Sequence, residues 1–178
     1  VAVPGHRGAV VIAIGIDPGT EATGWALVSR RDGVIALGVL RAKGRLARDR
    51  AAEMAREMER VLGALAHEVL AIEWQHARVL AIEWQHARRG DPNPNAIVGL
   101  SAVAGMALGV VSRSIVRGRI LLPIPREWKG SVPKPAHQRR ILQEAGLSLD
   151  SPAFAGIIPS LRHNAVDALG LALWALKQ

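Results

Sequence analysis

The 178-residue chain has no cysteine, no tyrosine and a single phenylalanine. Without cysteine there is no disulfide, no zinc-thiolate site and no thiol nucleophile. Any metal must therefore sit on carboxylate, imidazole or carbonyl groups, which points to hard ions. The lack of tyrosine argues against a tyrosine recombinase. No run of about 18 apolar residues is free of charge or punctuation, and no small-residue cleavage site follows the apolar stretch near the N-terminus, so neither a membrane span nor a signal peptide is read. A soluble, cytoplasmic protein with no membrane partner is expected, either of a bacterial cell or encoded by a phage and acting in its host. Acidic charge is also scarce, with 15 Asp and Glu against 23 Lys and Arg, a formal net charge of +8. Such an excess attracts a polyanion and favours nucleic acid. The bland alternative is a GC-rich coding sequence that inflates arginine, alanine and glycine.

What is present suffices for a domain. With 49% hydrophobic residues, residues 1–178 read as a single unit around one core, after a loose segment at residues 1–10. "AVVIAIGID" is an apolar, β-branched run ending at a turn signal, Asp17-Pro18-Gly19-Thr20. "TGWALVSR" and "GVIALGVLRA" follow, and the Asp32-Gly33 dipeptide between them predicts a hairpin. From Gly44 to His67 the apolar positions Leu46, Met54, Met58, Val61, Leu62 and Leu65 lie near helical spacing among mixed charges. "AIVGLSAVAGMALGVVSRSIV" predicts a small-residue helix packed on a sheet, "GRILLPIP" a fifth strand, "AHQRRILQEAG" a short basic helix and "RHNAVDALGLALWALKQ" a last helix. A meander followed by strand-helix-strand crossovers implies an α/β fold with a mixed five-stranded sheet and helices on both faces.

Residues 69–88 are the unit "VLAIEWQHAR" written twice without a difference. One unit repeated once is no solenoid. It offers Glu73 and Glu83 for one place at the end of a buried strand. The tether from the preceding helix favours Glu73, and the tether to the following helix favours Glu83. Lengthening the link before the strand costs little, because loop-closure entropy grows slowly. On the tethers alone both glutamates stay open.

Asp17 ends a buried strand, where open α/β sheets place their ligand sites. Asp167 lies within the last helix, and His163 four residues earlier shares its face, with Asn164 beside them. Singly, each acidic residue could be a solvated turn residue; together, converging carboxylates repel unless a divalent ion joins them. The cluster suits two Mg²⁺ ions about 4 Å apart acting on a phosphodiester. "GIDPGT" has neither the Walker spacing nor the dinucleotide fingerprint, so no small-molecule cofactor is expected.

"GIDPGTEATGWALV" closely resembles the opening strands of the RuvC family of Holliday junction resolvases, within the ribonuclease H-like nuclease superfamily. "VLAIEW" resembles that family's glutamate strand, "AIVGLSAVAGMALGV" its next helix, "PREWKGSV" its lysine-bearing segment and "HNAVDALGLALWAL" its final helix. The resemblance runs from Ile12 to the end. It implies a ribonuclease H-like fold and a homodimer that cuts symmetric strands of a four-way DNA junction with Mg²⁺, Mn²⁺ substituting. Asp17, Glu83 and Asp167 would be metal ligands. Glu83 is expected and Glu73 the alternative, because in the family a modest loop separates the glutamate from the small-residue helix and the distance from Glu83 to Gly99 fits that arrangement. The family commonly has an acidic residue or histidine three positions before the last aspartate, where this chain has Asn164. His163, one residue earlier, is the expected fourth member as ligand or general acid/base, with Asn164 the alternative. Read blandly, Asn164 caps a helix and His163 is solvated.

The resemblance further implies that the loop after the glutamate enters the junction. Trp84 or His86 would stack on bases there, although Trp84 can equally alternate into the core. Arg88 and Arg89 suit phosphates. Lys129 aligns with a family lysine near the scissile phosphate, where positive charge stabilises the developing dianion. Lys134, Gln138, Arg139 and Arg140 form a candidate phosphate track, or else a solvated helix face. Two other readings stay open: a less selective nuclease for flaps and forks, and a junction-binding protein whose glutamate strand the duplication has displaced.

Overall fold

The computed structural model describes residues 11–44, 47–70, 78–84, 94–114 and 119–178. Five strands form one sheet in the order β3-β2-β1-β4-β5. β1 (Ile12–Asp17), β2 (Ala22–Ser29) and β3 (Gly33–Arg41) make the antiparallel meander, and β4 (Arg78–Ile82) and β5 (Arg119–Leu121) continue it in parallel on the other side of β1. The predicted hairpin turns at Gly33, whose φ of 77° lies in the region glycine tolerates best. Helices α1 (Ala47–Leu70) and α2 (Pro94–Ser114) make the crossovers, and α3 (Pro125–Trp128), α4 (Lys134–Ala145) and α5 (Arg162–Ala175) follow β5. Two 3₁₀ turns, Pro152–Phe154 and Pro159–Leu161, join α4 to α5.

Side chains alternate across a strand, and here the alternation sorts the core into two layers. Ile12, Ile14 and Ile16 of β1 join Leu80 and Ile82 of β4 beneath Met54 and Met58 of α1 and Val103, Ala104 and Ala107 of α2. Ala13 of β1 and Val79 and Ala81 of β4 face the opposite way, against Ala165, Ala168, Leu169 and Ala172 of α5. The helices thus lie on both faces, as the pattern predicted.

Small residues on the second face bring α5 down onto the sheet. A Cβ at Gly15 would collide with the Ala168 carbonyl, and one at Gly24 with the Asn164 carbonyl. Overpacking of this kind typically costs about 1–3 kcal/mol, and more where backbone must shift. The close approach sets Asp167 over the end of β1.

The doubled segment is divided between two structures. Val69 and Leu70 of the first copy complete α1, whereas the identical Val79 and Leu80 of the second copy lie in β4. Tertiary position overrides local propensity here. Among the described residues no helix is long and apolar enough to cross a membrane.

Candidate active site

β1 and β4 run parallel in register, Ile16 opposite Ile82, and the Glu83 N–H donates to the Ile16 carbonyl at 3.1 Å. Asp17 and Glu83 therefore leave neighbouring strand ends side by side. By alternation both belong to the α5 face, where Asp167 stands. Glu83 and Asp167 are buried, at 3% and 5% exposure. Asp17 is pushed well above the usual carboxylate range, first by burial, then by the charges of Asp167 and Glu83, with Lys134 and Lys129 acting against the shift.

Two pairs of donors hold the buried carboxylates. The Trp128 indole N–H donates to Glu83 Oε2 at 2.8 Å, and the Lys129 ammonium lies 3.5 Å from the same oxygen. On Asp167, the Gln138 amide donates to Oδ1 at 2.9 Å and Lys134 lies 2.8 Å from Oδ2. Each carboxylate thus meets both a neutral donor and an ammonium. Lys134 and Gln138 reach the same group because they are four apart on α4.

The other expected residues are distributed as follows. His163 is exposed in the first turn of α5, and its carbonyl accepts from Gln138 at 3.3 Å. Asn164 is half-buried and does not cap the helix, since α5 begins at Arg162 with Leu161 as N-cap and no side-chain cap bond. Arg139 and Arg140 are exposed on α4. Gln138, expected on the phosphate track, has its amide on Asp167. Trp84 follows Glu83 and so turns to the other face, where it is half-buried against the layer under α1 and α2. Glu73, His86, Arg88 and Arg89 lie outside the described residues.

Trp128 and His137 were not singled out from the sequence. The His137 ring meets Trp128 edge-on, with centroids 5.0 Å apart. Burial, with help from Lys129 and Arg140, holds its imidazole below the usual histidine range against the pull of Asp167. Only the adjacency of Trp128 to Lys129 hinted at this layer.

Among the described residues no three Asp, Glu or His side chains are already drawn around one point as a finished metal cage. The donor set nevertheless fits a hard divalent cation: carboxylates from three elements, one of them, Asp17, resisting ionisation first through burial and then through the charges of the other two, with ammonium groups partly balancing them.

No family model matches the chain. Over 72 residues it is 38% identical to the crossover junction endodeoxyribonuclease RuvC of Nitratidesulfovibrio vulgaris (strain DP4), a match covering 39% of this chain and 43% of that protein. The match thus spans less than half the length of that curated relative. Thermus thermophilus RuvC in complex with a Holliday junction substrate superposes with a TM-score of 0.63 at 18% identity, covering 92% of this chain and 91% of that one. A second structure of Thermus thermophilus RuvC gives 0.61 at 18% identity, covering 92% of each chain. The chain is similar in sequence to RuvC, and it has the ribonuclease H-like fold that RuvC has.

Proposed function

We propose that this protein is a divalent-metal-dependent endonuclease that resolves four-way DNA junctions by paired, symmetric phosphodiester hydrolysis as a homodimer in the cytoplasm. The observation that carries the reading is that Asp17, Glu83 and Asp167, from three separate elements, lie near enough for the charges of the latter two to add to burial in raising Asp17. The likeness to RuvC supports the choice of substrate, since one of the structures it superposes on holds a Holliday junction.

Asp17, Glu83 and Asp167 would hold Mg²⁺, with Mn²⁺ substituting and two ions per site, and His163 or Asn164 would complete the set. When bound, the ions favour ionisation of the attacking water and offset charge on the leaving oxygen. The chain's own part is to place that chemistry. Burial of Glu83 and Asp167 strengthens every charge interaction at the scissile phosphate. Lys129 and Lys134 lie at the carboxylates and can transfer their charge to an incoming phosphate, neutralising the extra negative charge that develops there. Arg139 and Arg140, exposed on the adjoining helix, would follow the DNA backbone, and His86, Arg88 and Arg89 would enter the junction from the loop after Glu83, with Trp84 at its base.

Paired cuts need two sites related by symmetry. The outward face of α2 suits that contact. Val98 is 68% exposed, and Ala102, Gly105 and Gly109 continue the same exposed face. The notion that the duplication displaced the glutamate strand loses its motive, because the second copy delivers Glu83 to the end of β4.

The test is a nicking assay on a synthetic four-way junction, a fork and a plain duplex with Mg²⁺. Symmetric nicks on the junction alone, lost in Asp17→Asn, are expected. Equal cutting of all three substrates, or none by folded protein at any Mg²⁺ or Mn²⁺ concentration, would overturn the reading.

A further inference from the structure

Glu83 is held at its backbone on both sides. Its own N–H bonds the Ile16 carbonyl, and the next N–H, of Trp84, bonds the Pro123 carbonyl at 2.9 Å. These contacts place the Cα, and rotation about the side-chain torsions then sets where the carboxylate points. The indole N–H of Trp128 restricts that rotation, donating to Oε2 at 2.8 Å in a buried setting.

Trp128 is itself seated on every side. Pro125 opens α3, and the Glu127 carboxylate accepts the Ile124 N–H at 2.8 Å, so the single turn is closed at its start. The ring packs over Gly170 of α5 beside Ile141 of α4, and a Cβ at Gly170 would press on both. His137 abuts it edge-on, and its Nε2 is buried with no hydrogen-bond partner among the described residues. The ring is 7% exposed. A buried tryptophan needs a partner for its N–H, and this one spends its N–H on an active-site carboxylate.

Resting on the reading of Glu83 as a metal-holding residue, we infer that Trp128 is a positioning residue: a neutral donor that orients the Glu83 carboxylate toward the ion while Lys129 attends to phosphate. The division of labour follows from charge. The Lys129 ammonium is 3.5 Å from Glu83 Oε2 and 5.1 Å from the Trp128 ring centroid. Mg²⁺ and an ammonium compete for a carboxylate's negative charge, and a DNA phosphate offers the ammonium another partner. An indole N–H carries no net charge and does not repel the cation. It can stay in place when the ion arrives, as donors behind metal-ligating carboxylates do elsewhere.

The test begins with metal-free protein. The ¹H–¹⁵N resonance of the Trp128 indole, assigned through Trp128→Phe, is expected downfield of a solvent-exposed indole and is expected to move in Glu83→Gln. Trp128→Phe keeps an aromatic ring and removes the donor. Titrated with Mg²⁺ alone in a calorimeter, it is expected to bind about 10-fold more weakly than wild type. In the nicking assay the half-saturating Mg²⁺ should rise by the same factor, with the rate at saturating Mg²⁺ changed far less. A purely structural role would lower the melting temperature and leave Mg²⁺ affinity unchanged. That result in folded Trp128→Phe, or an indole resonance indifferent to Glu83→Gln, overturns the inference. If Trp128→Phe does not fold, the indole resonance, assigned then from backbone-linked spectra, decides alone. Full nicking by Glu83→Gln would instead sink the functional reading beneath it.

Discussion

Lys134 and Gln138, one helical turn apart on α4, divide Asp167 between them, the ammonium 2.8 Å from Oδ2 and the amide 2.9 Å from Oδ1. A cation bound by Asp167 must share that carboxylate with Lys134, and like charges at such distances repel. Lys134→Met is therefore expected to tighten Mg²⁺ binding to the DNA-free protein. The same substitution removes positive charge beside the reacting phosphate, so single-turnover nicking should slow by roughly 10²-fold. Calorimetric titration and a quenched time course would reveal these opposite effects, and a parallel loss in both would mean that Lys134 merely supports the fold.

The duplicated segment gives a sharp comparison. Glu83 is buried at the end of β4, hydrogen-bonded to Trp128. Glu83→Gln should reduce nicking by at least about 10²-fold, as for loss of a group acting on the transition state. Glu73→Gln should leave it near wild type. Deleting residues 69–78 joins Glu68 of α1 directly to Val79 of β4, and that shortened chain should still nick. Loss of activity in Glu73→Gln alone would mean that the first copy supplies the strand in solution.

Asp17 predicts an unusual dependence on pH. Its folded pKa lies above the ordinary value of 3.8, so between the two values the native state binds more protons than the unfolded state. Stability contributed by this group is greatest below 3.8 and is lost as pH rises through the raised pKa. Metal-free Asp17→Asn should thus melt higher than wild type at neutral pH, by about 2–4 °C per kcal/mol relieved, while its nicking disappears. Thermal melts in chelator across that pH range would test the sign; a destabilised Asp17→Asn contradicts it.

The exposed face of α2 can be tested apart from the chemistry. Ala102 sits on that face, between Val98 and Gly105. Ala102→Arg should leave the fold intact and abolish self-association, because charge is placed where two copies would meet. Sedimentation should then report a monomer, and junction nicks should become single and uncoordinated. A dimer that survives the substitution would move the contact elsewhere.

Much of this architecture could be read from short-range pattern. The apolar, β-branched run "AVVIAIGID", the Asp32-Gly33 turn and the helical spacing of Met54 and Met58 all reappear as elements, because they depend on each residue's immediate neighbours. The preference for Glu83 over Glu73 leaned on the family resemblance, through its distance to the small-residue helix. The cap reading of Asn164 failed, since the helix begins at Arg162, where the stretch "RHNAVDALGLALWALKQ" had placed it, with Leu161 as N-cap.

Residue types and spacing singled out Asp17, Asp167 and a strand-end glutamate as candidates, since strand ends and a helix face limit where carboxylates can point. Which neutral group steadies each of them was not legible, because Trp128 is 45 residues from Glu83 and Gln138 is 29 from Asp167. Those pairings exist only once α3 and α4 have docked on the α5 side of the sheet. Hydrogen bonds act over about 3 Å, and no periodicity along the chain encodes a distance that folding alone creates.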